Sequence, residues 1–138
     1  HSQEEAMALA DQVVVMSQGR IEQSGTPHDI FNRPRTEFVA RFIGGHNVFS
    51  SPQGKTAVRC DKTSLLRGPV AVSDTTREAV VTGVEYQGTY VLITLRATSG
   101  DDEHTVMLPE ASFEAQPWQV GDTAFLQWRA QDVHALSA

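Results

Sequence analysis

The sequence offers a single cysteine, Cys60, in 138 residues, so no internal disulfide can staple the chain. Cys60 itself reads as a small strand residue rather than a reactive thiol. No apolar run approaches the ~20 residues that cross a bilayer as a helix, and no basic-then-apolar leader opens the chain. Basic residues are also scarce: 11 Lys and Arg stand against 17 Asp and Glu, a net charge of −6. That balance argues against nucleic acid, whose binding rests on neutralising phosphates with Lys and Arg. The ten glycines are scattered. A phosphate-cradling loop needs spaced glycines ending in Gly-Lys-Ser/Thr. Gly54-Lys55-Thr56 imitates its last residues, but Ser51-Pro52-Gln53 precedes them and the loop's first glycine is missing. The acidic pair that positions metal and attacking water in such enzymes is missing too. These absences point to a soluble, cytoplasmic chain that does not hydrolyse a nucleoside triphosphate on its own.

What is present is concentrated in residues 1–45. Val13, Val14, Val15 and Met16 form a short continuous apolar run, the pattern of a strand buried on both faces. Gln18-Gly19 makes a turn, and Ile21 to Ser24 return as a more polar strand, so 13–24 reads as a hairpin. Gly25 breaks it, Thr26 can cap a helix, and Pro27 suits the first helical position. Upstream, Ser2 and Glu5 have capping-box spacing, and Gln3 to Ala10 is rich in helix formers. Downstream, a short helix around Asp29-Ile30-Phe31 must stop before Pro34. Thr36 to Ile43 then carries Phe38, Val39, Phe42 and Ile43 along one side, closed by Gly44-Gly45. Arg33, Arg35 and Arg41 mark the polar side as a solvated helix face.

From 46 onward the periodicity changes. His46 to Pro52 reads as a connector. Short strands are expected over 56–60, 77–86, 90–97, 104–108, 123–128 and 133–136, with turn signals between them and a loop or helical turn over 109–117. In the second of these, Val80, Val84 and Tyr86 share one face and Gly83 marks a bulge or a close backbone approach. Five or six short strands punctuated in this way indicate a small all-β barrel.

The stretch HSQEEAMALADQVVVMSQGRIEQSGTPHDIFNRPRTEFVARFIG resembles the end of the ATPase domain in ABC-importer ATP-binding subunits, in the branch that handles sugars, polyamines, sulfate and ferric iron. Residues 46–138 resemble the TOBE domain that follows it there, through Ala57-Val58-Arg59, Val84-Glu85-Tyr86-Gln87-Gly88, Val120-Gly121-Asp122 and the closing Trp128-Arg129-Ala130-Gln131-Asp132-Val133-His134. The resemblance implies a mainly β fold: a small OB-like barrel preceded by a truncated α/β remnant, with domains at 1–45 and 46–138. It implies that His1 is the switch histidine that meets the γ-phosphate and helps hold the attacking water. An imidazole suits that role because its two nitrogens can donate to phosphate and accept from water. ATP and Mg would serve the intact parent, and the fragment is expected to bind neither. The partners implied are a second copy, packed against this one or exchanging strands with it, and membrane permease subunits, at the inner face of the membrane. The apolar strand at 13–16 would otherwise be left uncovered, which favours self-association. Because the chain starts at a histidine without a methionine, it is expected to be a piece of a longer ATPase, with polyamine or ferric iron as the solute.

Other candidates are weaker. His104, Asp132 and His134 lack metal-ligand spacing and read as strand and turn residues. Trp118 and Trp128 read as packing residues rather than stacking platforms for bases. Asp101-Asp102-Glu103 reads as a solvated turn. Two alternatives stay open. One is a free-standing barrel that senses a small ligand or oxyanion, and the other is a nucleic-acid-binding barrel, which would require a basic groove.

Overall fold

A computed structural model describes residues 11–52, 54–71, 73–100 and 102–137. The chain divides into two compact units, His1–Arg59 with Val133–Ala138, and Cys60–Asp132.

In the first unit, β1 (Val13–Ser17) and β2 (Arg20–Gly25) form the hairpin anticipated from the apolar run. Gln18 and Gly19 both adopt left-handed backbone, φ 52° and 78°, which lets a two-residue turn follow the strand twist. The strand is not buried on both faces, however. Val15 is buried, while Val14 and Met16 are about half exposed. A two-stranded sheet has elements of its unit on one side only: Val15 packs with Ile30 and Val39, and the alternate residues face out.

Helix α1 (Pro27–Asn32) starts at Thr26, whose Oγ1 accepts the Asp29 amide at 3.1 Å. Helix α2 (Glu37–Ile43) starts the same way at Thr36, whose Oγ1 accepts the Val39 amide at 3.2 Å. Each cap satisfies an amide that the first helical turn leaves without a partner. Between the helices the buried Gln23 donates to the Arg33 carbonyl at 3.0 Å and accepts the Arg35 amide at 2.8 Å. One side chain thus serves the backbone on both sides of Pro34, which has no amide of its own. Gly44 ends α2 with φ 80°.

The segment read as a connector is a strand. β3 (His46–Ser51) pairs antiparallel with β4 (Gly54–Arg59), and β10 (His134–Ala135) adds on the other side of β4. Asn47, Ser50 and Ser51 disguise the pattern. Asn47, Val48 and Phe49 are nevertheless buried together, because β4 takes up the backbone bonds and α2 packs against β3. Cys60, expected in the strand, opens a 3-10 turn, Cys60–Lys62, instead.

The second unit is mainly β, a curled half-barrel of OB-like form. Its sheet runs β5-β9-β6-β7-β8, with β5 Ser64–Leu66, β6 Thr76–Tyr86, β7 Tyr90–Ala97, β8 Glu103–Pro109 and β9 Thr123–Gln127. Edge strands β5 and β8 curl back toward each other. Helix α3 (Glu110–Ala115) realises the helical turn that was one of the two expectations for 109–117. Strand β5 was not legible in the sequence, since three residues are too few to show alternation.

The register of β6 slips between Val81 and Gly83, confirming the bulge. Its effect on facing is larger than the sequence suggested. Val81 opposes Leu95 and Val84 opposes Ile93, both of which are fully buried, whereas Val80 opposes the exposed Arg96. Val80 therefore does not share a face with Val84 and Tyr86, because the extra residue inverts the alternation beyond it.

Candidate functional site

His1 lies outside the described residues. The residues weighed as metal ligands, His104, Asp132 and His134, do not converge. His104 is buried on β8 opposite Leu95 in the second unit, and His134 sits on β10 opposite Ala57 in the first. Asp132 belongs to the 3-10 turn Ala130–Asp132 and accepts a hydrogen bond from Arg129 Nε at 3.2 Å. Among the described residues no group of three His, Cys, Asp or Glu could hold a metal ion. Lys55 and Thr56 lie on β4, where Lys55 Nζ meets Glu37 Oε1 at 2.5 Å. Arg41 Nε meets the other Glu37 oxygen at 2.7 Å. The Lys55 hydrogen bond, then the Arg41 one, hold the Glu37 carboxyl below its usual range. Asp102 and Glu103 are exposed at the turn into β8, and Asp101 is not described.

Both tryptophans are buried, each with an arginine of its own unit over the ring. The Arg67 guanidinium stands 4.1 Å from the Trp118 ring centre, that of Arg77 5.7 Å from Trp128. Arg67 also reaches Asp122 at 3.6 Å and donates to the Pro117 carbonyl. Covered in this way, neither indole offers an open face for a base to stack upon.

One concavity in the second unit brings functional groups together. A cleft of about 390 Å³ lies between the two 3-10 turns. Asp61 and Lys62 line it from one turn, Asp132 from the other with Arg129 just ahead of that turn, and Ser64 and Thr75 add hydroxyls. Trp128 fixes its base, since its amide donates to the Thr75 carbonyl at 3.1 Å. The walls carry two cations, two anions and two hydroxyls, so the cleft suits a small polar solute. Sequence reading missed Lys62, Ser64 and Thr75. The one available signal was that Asp61-Lys62 and Arg129-Asp132 bracket the barrel.

Cys60, at the entrance to this unit, is a free thiol buried to 5 % exposure. Burial, then the neighbouring Asp61 charge, push it up to about 12. Below about pH 8.5 the thiol is neutral in both folded and unfolded chains. Above that the unfolded thiol ionises while the folded one stays protonated, so stability falls as pH rises toward 12. Cys60→Ala removes this dependence. The urea stability of the wild type relative to the variant is expected to drop by about 2 kcal/mol from pH 8 to about pH 10.5. Equal slopes for the two proteins would contradict the assignment.

A family profile described as the TOBE domain matches residues 56–136. The spermidine/putrescine import ATP-binding protein PotA of Bacillus thuringiensis (strain Al Hakam) is 33% identical over 140 residues, covering 99% of this chain and 41% of that protein. PotA of Trichormus variabilis is 60% identical over 50 residues, 36% of this chain and 13% of that protein. The chain thus spans about two fifths, or less, of these relatives. Among solved structures, the cytoplasmic molybdate-binding protein ModG with molybdate bound superposes with a TM-score of 0.52 at 17% identity, covering 60% of this chain and 61% of that one. At that identity the likeness speaks to the fold alone. Among the described residues no helix is long and apolar enough to cross a membrane.

Proposed function

Because the chain belongs to the TOBE-domain family, we propose that it is the C-terminal portion of the ATP-binding subunit of an ABC importer. The observation that carries this reading is the extent of the match to PotA, which takes in 99% of the chain and so reaches well before residue 56, where the TOBE match begins. A barrel module borrowed by an unrelated protein would have no reason to continue into the hairpin and helices of the first unit. In this reading residues 1–45 complete an ATPase domain and residues 46–138 form the appended regulatory or dimer-stabilising domain. The parent subunit couples ATP hydrolysis to solute uptake through permease subunits at the inner membrane face, with ATP and Mg bound by residues outside this chain. Polyamine becomes the favoured solute over ferric iron, given the names of the relatives.

The deciding experiment takes the coding sequence upstream of His1 and expresses the longer protein. Mg-dependent ATP hydrolysis, stimulated when permease subunits and a polyamine-loaded binding protein are present, is expected. A reading frame that opens at this chain, or a longer protein inert toward ATP, would overturn the proposal.

A second reading, a ligand-sensing barrel, draws support from the polar cleft. Calorimetric titration with spermidine and with molybdate separates the two. Saturable molybdate binding abolished by Arg129→Ala, or saturable spermidine binding abolished by Asp61→Ala, favours a sensor, and no heat with either solute favours a purely architectural barrel.

A further inference from the structure

The acids and bases around the cleft between the two 3-10 turns are not equally available. Asp132 accepts from Arg129 Nε at 3.2 Å, and Asp61 is not free either. The donors are largely uncommitted. Among the described residues, the side chains of Lys62, Ser64 and Gln127 make no hydrogen bond or ion pair within the chain. Arg129 commits its Nε, so the two terminal nitrogens of the guanidinium keep their hydrogens for an outside acceptor. Thr75 shares its hydroxyl with Ser73 at a long 3.3 Å.

Spare hydrogen-bonding capacity, more than formal charge, selects the ligand. The four charged walls, Asp61, Lys62, Arg129 and Asp132, sum to zero, so charge alone admits a cation or an anion. A cation needs acceptors, and both carboxylates already have partners. An anion finds an open guanidinium edge, which matches a carboxylate at two points, and an ammonium to share the charge. Asp61 and Asp132 repel a second negative charge, so a single one is favoured. The Ser64 and Thr75 hydroxyls and the Gln127 amide can each donate and accept, which complements hydroxyl groups on the ligand. At about 390 Å³ the cleft is at the small end of pockets that hold organic molecules, with the buried Trp128 among its walls. We propose that the cleft binds a singly charged, polyhydroxylated carboxylate of the sugar-acid class. Arg129 and Lys62 take the carboxylate, and Ser64, Thr75 and Gln127 take the hydroxyls. This gives the sensing reading its ligand class and rests on it, whereas the transport reading does not depend on it.

Calorimetry on the intact chain with sodium gluconate tests it, with sorbitol, inorganic phosphate, spermidine and molybdate as the other titrants. Gluconate is expected to bind saturably at one site. Sorbitol carries the hydroxyls without the carboxylate and is expected to give no saturable heat. At about pH 8 phosphate is almost wholly doubly charged. It is expected to bind about tenfold more weakly than gluconate, or worse, because its second charge meets Asp61 and Asp132. Lys62→Gln and Arg129→Gln are each expected to weaken gluconate by about tenfold or more. Both side chains are exposed, so the urea midpoints of the two variants should match the wild type. Gluconate binding that survives both changes would place the ligand elsewhere. Equal binding of sorbitol would remove the carboxylate from recognition, and equal binding of phosphate would remove the preference for one charge. Each of these overturns the inference. Saturable spermidine or molybdate binding with none for gluconate would overturn this ligand class and leave the sensor standing. No heat with any titrant would overturn the sensor as well, while the transport reading is tested separately by ATP hydrolysis in the longer protein.

Discussion

Ile93→Ala is expected to destabilise the second unit by about 3–4 kcal/mol. Ile93 is fully buried at the centre of β7, between Val84 on one neighbouring strand and Val106 on the other. Both neighbours are strands held in fixed register, so the walls of the cavity cannot collapse and the lost contacts are not recovered. Both tryptophans of the sequence lie in this unit, so fluorescence reports its unfolding. The urea midpoint read by fluorescence should fall sharply. Ile30→Ala, a comparable deletion in the first unit, should leave that signal nearly unmoved. Equal shifts from the two variants would mean that the units unfold as one.

The second large effect concerns chemistry. If the chain ends an ATP-hydrolysing subunit, as proposed, and His1 is its switch histidine, His1→Ala in the longer protein is expected to lower ATP hydrolysis about 100-fold or more while ATP binding persists. The reason is division of labour. Phosphate affinity comes from loop amides, lysine and metal, whereas an imidazole that meets the γ-phosphate and the attacking water acts mainly as the transition state forms. Single-turnover hydrolysis and nucleotide binding, measured on the same preparation, separate the two. Loss of binding in parallel with rate, or a rate within twofold of wild type, would remove His1 from the reaction.

Much of the fold was legible because local signals agreed with tertiary demands. Thr26-Pro27 and Thr36 announced helix starts, and the caps are formed. Tyr90–Ala97 alternates cleanly because it is the second strand from a sheet edge, with one face in the core. Two of the failures share one cause, a partner the local sequence does not encode. His46–Ser51 became a strand only because β4 and α2 receive it, and Val14 and Met16 are exposed because the hairpin is covered on one face. The facing of Val80 was misjudged although its bulge was foreseen, since placing a bulge one residue earlier or later decides which side chains turn inward. The cleft was the least legible feature. Its residues come from places near 62, 75 and 129, and only the curl of the sheet brings them together.

Strands β4 and β10 are neighbours, with His134 opposite Ala57. The polypeptide therefore departs for the half-barrel and comes home at nearly the same spot, an adjacent-strand spacing of about 5 Å. A body attached through two such closely placed stems behaves as a cassette. It can be exchanged for another of similar footing, or cut out and the stems rejoined by a brief linker, without asking the host sheet to rearrange.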